Sequence, residues 1–388
     1  MNKTKFETIS VGLISAILLL LPTYLIRLQL FGIPTTFLEI YIYLVFILFL
    51  IMSYGAKRKI LTFKLLLPVI LLILGVISSY FAESRTASLG QVKAIFFDGL
   101  LVFAMFYSLR DNISFKRWSF WAYSASAVIV SSWGILQRLD WIGLLTYQRQ
   151  DPTVALHLVQ GRILGPFESP NYLGMFLAPI VILLVIDHLS GSNLGLGKKL
   201  FWSVITLIAI ALLLTQSVSA ILAVIVVLGV YLILKWETRL KWVWFTLLAI
   251  LVVGGSLLLN QYSAKSGSVA ARKEIYQAAF QIGQTHSIFG IGPGNFPSLF
   301  NNLPIEGRLN YEAMHPHNVF LAFWVYLGIP GLLAFLVLLL LCFRRATSQE
   351  KKIYLLALLV ILLNGLTDTT IFKNDLSLIF WYCVAFLI

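Results

Sequence analysis

Charge is scarce in this chain. Only 12% of its 388 residues are Asp, Glu, Lys or Arg, against roughly 25% in a soluble domain. That leaves too little polar surface to cover a globule of this length, which excludes a soluble enzyme or binding module. Cysteine is nearly absent, and Cys342 and Cys383 both lie in apolar stretches. A disulfide framework and a thiolate metal site are thereby excluded. Acidic residues are few beside basic ones, 16 against 29, for a net charge of +13. No low-complexity tract, clear internal repeat or Gly-Lys-Ser/Thr phosphate loop occurs.

Apolar sequence takes the place of all this, at 59% of residues. Runs of near-spanning length recur near 9–30, 37–54, 62–82, 93–109, 118–137, 171–190, 200–215, 217–235, 242–260, 316–343, 353–372 and 376–388. The expected fold is an all-α integral membrane protein of about twelve transmembrane helices, one polytopic domain over residues 1–388. The first run lacks a small-residue cleavage site and is expected as a retained helix.

Basic residues mark alternate loops: Lys57, Arg58, Lys59 and Lys64; Arg110, Lys116 and Arg117; Lys198 and Lys199; Lys235, Arg239 and Lys241; Arg344, Arg345, Lys351 and Lys352. Lys3 and Lys5 place the N-terminus on the same side. The positive-inside rule makes that side cytoplasmic, with both termini there. The inner face then carries the whole excess of +13 and the outer face balances, so no nucleic-acid partner is needed to explain the charge. Two longer loops, 138–170 and 261–315, fall outside. The second is expected to be mainly helical, and an active site is expected on that face.

Three stretches break the apolar pattern. In the first, Gly161 to Asn171, glycines and prolines mark a turn that holds Arg162 at the mouth of the sixth span. Arg162 also suits a plain interfacial anchor. The second runs from Arg272 to Phe296. Residues 268–284 form an amphipathic helix, opened by Ser268, with Ile275, Ala279 and Ile282 as its buried stripe and Arg272 in phase. The glycines from Gly290 to Gly294 permit close backbone approach to a ligand. The third is His315-Pro316-His317-Asn318 and the apolar run to Gly331. Pro316 suits the first position of a helix, which makes His315 the cap and puts His317 in the first turn. A helix N-terminus there would favour a bound phosphate. Pro330 is expected to break this helix. A metal site would need His315, His317 and the distant Glu312, a poor ligand set. Asp98 and Arg27 are ionisable groups inside predicted spans, expected to pair with neighbours.

Taken together, the three stretches resemble the O-antigen ligase and polymerase superfamily of bacterial membrane glycosyltransferases over residues 162–375. The ligase signature of His, Asn/Ser/Gln, nine residues, Gly, two residues and Gly/Thr/Tyr is met by His317, Asn318, Gly328 and Gly331. Asp368 resembles a further recurrent acidic position. The resemblance implies glycan transfer from undecaprenyl diphosphate to a glycan or lipid-core hydroxyl, at the outer face of the bacterial cytoplasmic membrane, without metal or other cofactor and with inversion. His317 would be the base, with His315 second to it. Arg162 and Arg272 would bind the diphosphate. Asn318 would orient His317 or hold the acceptor, and Asp368 would position His317 or pair with an arginine. A polysaccharide polymerase of the same superfamily is the nearest alternative, and a small-solute or anion transporter the alternative from another class.

Overall fold

The computed structural model describes residues 3–30, 32–55, 63–151, 154, 157–158, 160–191, 197–235, 242–243, 246, 268–303 and 313–388. All of the expected span at 242–260 except residues 242, 243 and 246 lies outside the described residues, as does Glu312.

Helix dominates because apolar chain in lipid must satisfy its amides internally. Among the described residues, six helices are long and apolar enough to cross a membrane by length and composition: 37–54, 85–109, 113–138, 170–190, 218–235 and 319–345. Three apolar helices are shorter, at 8–19, 66–80 and 374–387. The chain is a multi-pass membrane protein; twelve crossings remain the expectation from sequence.

Helix α1 (Lys3–Leu19) ends well before residue 30. A 3-10 turn follows at Leu21–Leu25, with Pro22 in its first turn, then a hairpin of β1 (Arg27–Leu30) and β2 (Ile33–Thr36). The strands pair antiparallel, Arg27 opposite Thr36 and Leu30 opposite Ile33, around Gly32 at φ 79°. This corrects the expected first span. Arg27 therefore lies on a strand and not on a spanning helix; its side chain is 77% exposed and pairs with a neighbour as expected, Glu168 at 3.5 Å. Helix α2 (Phe37–Gly55) starts with a reciprocal cap: Glu39 N donates to Thr36 Oγ1, and Thr36 N to Glu39 Oε2, both at 3.2 Å.

Helices α3 (Leu66–Tyr80) and α4 (Arg85–Val92) lead into a single π-helical turn at Lys93–Phe97 and then α5 (Asp98–Leu109). Asp98 pairs with a neighbour as expected, accepting from Tyr43 Oη at 2.8 Å. Helices α6 (Ile113–Arg138) and α7 (Thr146–Gln150) precede α8 (Pro170–Ser190), α9 (Lys198–Leu214) and α10 (Val218–Lys235). The long 261–315 segment contains α11 (Ser268–Thr285) and α12 (Phe296–Asn302). The chain continues in α13 (Val319–Arg345), α14 (Gln349–Asn364) and α15 (Asn374–Leu387).

Burial separates inner from outer helices. The apolar window of α8 is 78% buried and that of α10 only 28%. Helix α8 packs against α6, α9, α10 and α14, and α15 against α5 and α14. On α2, Leu44, Ile47 and Ile51 stay more than half exposed, as suits a face solvated by lipid chains. The non-helical segments 160–169 and 365–373, together with the start of α13, gather polar side chains above this apolar core.

Candidate active site

Helix α13 starts at Val319, with Asn318 as its cap. Asn318 Oδ1 accepts from Phe320 N at 2.9 Å and Leu321 N at 3.0 Å, and its Nδ2 donates to Leu366 O at 2.9 Å. An asparagine oxygen can satisfy two orphan amides at once, and here it outcompetes the preference of Pro316 for the first helical position. His315 is thus not the cap, and His317 precedes the helix. Val319 N donates to Gly365 O at 2.7 Å. With its first three amides taken up, the expected phosphate site at this helix end is not available.

His317 sits at φ 49°, in the left-handed region. For a residue with a β-carbon this costs on the order of 1–2 kcal/mol. Its Nδ1 lies 3.3 Å from Asp368 Oδ1, at ion-pair distance but without meeting hydrogen-bond geometry. Asp368, in the turn after α14, is buried and accepts from Thr369 N at 2.9 Å. Burial alone would raise its carboxyl; contact with His317, the charge of His315 and the Thr369 amide outweigh burial and hold it down at about 2. The His315 ring stands edge-on to His317 at 4.3 Å, and its Nε2 is 3.2 Å from Tyr172 Oη. Burial first, and His317 second, push His315 down to about 4, so this imidazole is neutral at pH 7.

Arg162 occupies the expected turn, beside Gly161 at φ 77°. Its Nε donates to Thr215 O and its Nη2 to Asn171 Oδ1, both at 3.0 Å, which fixes the guanidinium plane. Burial lowers its proton affinity, and the charge of Arg272 lowers it further, so the two cations are close enough to repel. Arg272 Nε is buried without a hydrogen-bond partner. One helical turn on from Arg272, Tyr276 Oη reaches His317 O at 3.1 Å and Leu366 O at 3.3 Å. Helix α11 is thereby tied to the His317 turn, over its expected stripe of Ile275, Ala279 and Ile282, all buried. Tyr276 thus links the helix that carries Arg272 to the turn that groups His315, His317 and Asp368.

The glycine run serves the fold. Helix α13 breaks at Gly328 (φ 71°, ψ −174°), two residues before Pro330. Ile291 N and Gly292 N donate to the carbonyls of Val325 and Tyr326, at 2.9 and 3.0 Å, and Ile329 N to Ser287 O at 2.7 Å. Ser78 Oγ also donates to Tyr326 O. A β-carbon on Gly328 would sit 2.1 Å from Ile288 O, and one on Gly290 2.4 Å from Tyr326 O. The close approach anticipated for a ligand is made instead by the chain itself, to a broken helix. The His317 signature thus has a structural reading: cap, nine helical residues and break.

Tyr172, Tyr276, Glu168 and Lys373 were not legible as site residues. Lys373 Nζ sits 3.4 Å from the Tyr172 ring centroid and 2.5 Å from Glu168 Oε2. No sequence motif marks these four; Glu168 and Tyr172 merely fall within or beside the Arg162 turn.

A cation is the other occupant this cluster fits. His315, His317 and Asp368 can each bring one ligand atom within 4.8 Å of the others. Asp368 supplies the carboxylate among the described residues, and two imidazoles with one carboxylate suit a divalent transition metal.

The fold and these side chains define a helical multi-pass membrane protein with a pair of arginines, neither in an ion pair among the described residues, and a His–Asp pair joined to them through Tyr276. Residues 203–336 match the family model described as O-Antigen ligase. The match supports kinship of this stretch with the O-antigen ligase superfamily of membrane glycosyl-transfer enzymes, ligase or polymerase in type. The matched stretch includes Arg272, His317 and the Gly328 break; Arg162 and Asp368 lie outside it. No curated protein matched the chain.

Proposed function

We propose that this protein transfers a glycan from undecaprenyl diphosphate to a sugar hydroxyl, at the outer face of the bacterial cytoplasmic membrane, without a metal. The observation that supports the reading is the pair of like-charged arginines, one with a buried, unpartnered Nε, linked through Tyr276 to the turn that sets His317 beside Asp368. Half-buried cations with no carboxylate partner among the described residues are stabilised by an anion, and a diphosphate supplies one.

The reaction follows from the parts. His317 turns Nδ1 toward Asp368, which leaves Nε2 free as the base. Nε2 takes the proton of the acceptor hydroxyl as its oxygen attacks the anomeric carbon. The bond from that carbon to the diphosphate oxygen breaks, and its electron pair leaves with the diphosphate. Arg162 and Arg272 hold the growing negative charge. Asp368 stabilises the imidazolium that forms. One displacement from the opposite face inverts the anomeric centre. Asn318 acts through the His317 turn, since its amide is engaged in the cap.

The test is reconstitution of the full chain with an undecaprenyl-diphosphate glycan and candidate acceptors. Transfer is expected, and His317→Ala should abolish it while leaving the inserted protein intact. Longer chains as product would mark a polymerase, and capped lipid core a ligase. Solute flux without transfer would favour transport instead. The His315–His317–Asp368 triangle supports a second reading, in which a cation activates the acceptor hydroxyl.

A further inference from the structure

A cavity with charged side chains in its lining lies where the hairpin, the π-helical turn and the 365–373 turn meet. Its volume is ≈ 690 Å³, inside the roughly 300–1,000 Å³ range of ligand sites. Tyr24, Arg27, Glu39, Lys93, Glu168 and Lys373 all line it, while neither Arg162 nor Arg272 does. Tyr172 links the two places: its hydroxyl meets His315, and its ring carries Lys373.

The charge pattern differs from that of the arginine cluster. Every cation in the cavity already has a carboxylate. Lys93 Nζ is 2.8 Å from Glu39 Oε2, Lys373 Nζ is 2.5 Å from Glu168 Oε2, and Arg27 Nη2 is 3.5 Å from Glu168 Oε1. An anionic ligand would have to displace these carboxylates and leave them buried, at the cost of an unpaired charge. Neutral hydroxyls face no such penalty, because they can donate to the carboxylates and accept from the ammonium groups together. Glu39 has capacity left: its side chain is 5% exposed, yet among the described residues Oε1 receives only a long hydrogen bond from Asn374 Nδ2, at 3.4 Å. Phe372 and Tyr24 add aromatic surface. The lining also includes a π-helical turn starting at Lys93, an energetically costly device found frequently at functional sites.

We propose that this cavity is a carbohydrate subsite for uncharged sugar residues of the acceptor. The assignment to the acceptor rests on the transferase reading above, since the diphosphate end of the donor belongs with the arginines. Binding of neutral sugar stands on the cavity alone.

Gly90 lines the cavity, and a β-carbon there meets nothing within 4 Å. Gly90→Phe therefore adds a ring to the cavity lining with no clash at its β-carbon. The experiment uses the full-length protein in detergent on an array of neutral oligosaccharides and their phosphorylated counterparts. The wild type and His317→Ala should retain neutral members at least tenfold better than phosphorylated ones, and Gly90→Phe should lose that retention at least tenfold. In the transfer assay, Gly90→Phe should raise the acceptor KM about tenfold and leave the donor KM within twofold. Arg27→Ala, at an exposed position, is the second variant should Gly90→Phe fold poorly, with a smaller loss in the same direction. Retention of phosphorylated members over neutral ones, no retention at all, or retention unchanged in Gly90→Phe overturns the proposal. A wild type that binds neutral sugar in the Gly90-sensitive way but never transfers supports the cavity and sinks the transferase reading instead.

Discussion

Asp368→Asn keeps the size of the side chain and an oxygen for the Thr369 amide, but removes the charge facing His317. The size of the effect can be worked from the geometry. The Asp368 carboxyl is held at about 2 against an ordinary 3.8, although it is fully buried. Its favourable contacts therefore outweigh burial by nearly two units, roughly 2.5 kcal/mol at 1.36 kcal/mol per unit. His317 is the largest of those contacts. An imidazolium formed on His317 during transfer would lose stabilisation of that order, which is about a hundredfold in rate. The assay is single-turnover transfer with donor saturating, together with the apparent melting temperature of the variant. The expected result is a kcat down about a hundredfold, with KM for donor and acceptor little changed. A variant that melts normally and keeps kcat within about threefold would refute the His–Asp coupling. A raised donor KM at unchanged kcat would move Asp368 to the diphosphate instead.

Gly328→Ala forces a β-carbon at φ 71° to within 2.1 Å of Ile288 O, so it should destabilise the protein by roughly 3 kcal/mol, read as a fall in melting temperature. Both His315, at about 4 against 6.5, and Asp368, at about 2 against 3.8, bind fewer protons folded than unfolded. Stability should thus fall as pH drops from about 6.5 towards 4, and again below 4. Melting curves between pH 5 and 8 check the first step, which His315→Gln should flatten. Transfer should survive exhaustive chelation followed by elemental analysis; loss of activity that zinc or manganese restores would favour the cation reading. Tyr276→Phe removes the tie from α11 to the His317 turn, and its expected loss in kcat/KM is about tenfold, with melting little changed.

The membrane class was legible because composition decides it. Residues 170–190 and 218–235 are spans in any register, since apolar runs of that length have no competing fold. The hairpin was not legible. Leu28, Leu30 and Ile33 prolong the apolar run of the first span, and only the pairing of Leu30 with Ile33 around Gly32 shows the reversal. At the site, Arg162, Arg272 and His317 stood out because each interrupts apolar sequence in a distinctive setting. The helix start was misplaced because two local rules competed, proline at the first position and asparagine as cap, and the contact of Asn318 with Leu366 decided between them. Lys373 and Tyr172 are far apart in sequence, and their contact is a product of how α8 and α15 begin side by side.

The cap at Asn318 and the break at Gly328 work as the two ends of a ruler. Each residue of helix advances the chain by about 1.5 Å and turns it by about 100°. Inserting or removing one position between them would swing the break away from the 287–292 segment that completes its hydrogen bonds, or twist His317 out from between Asp368 and Tyr276. The distance along the chain between these two residues is therefore more tightly held than the identity of the partly exposed side chains between them, Phe320, Leu321 and Trp324. A library that varies those three should keep far more folded members than one that changes the number of residues in the helix.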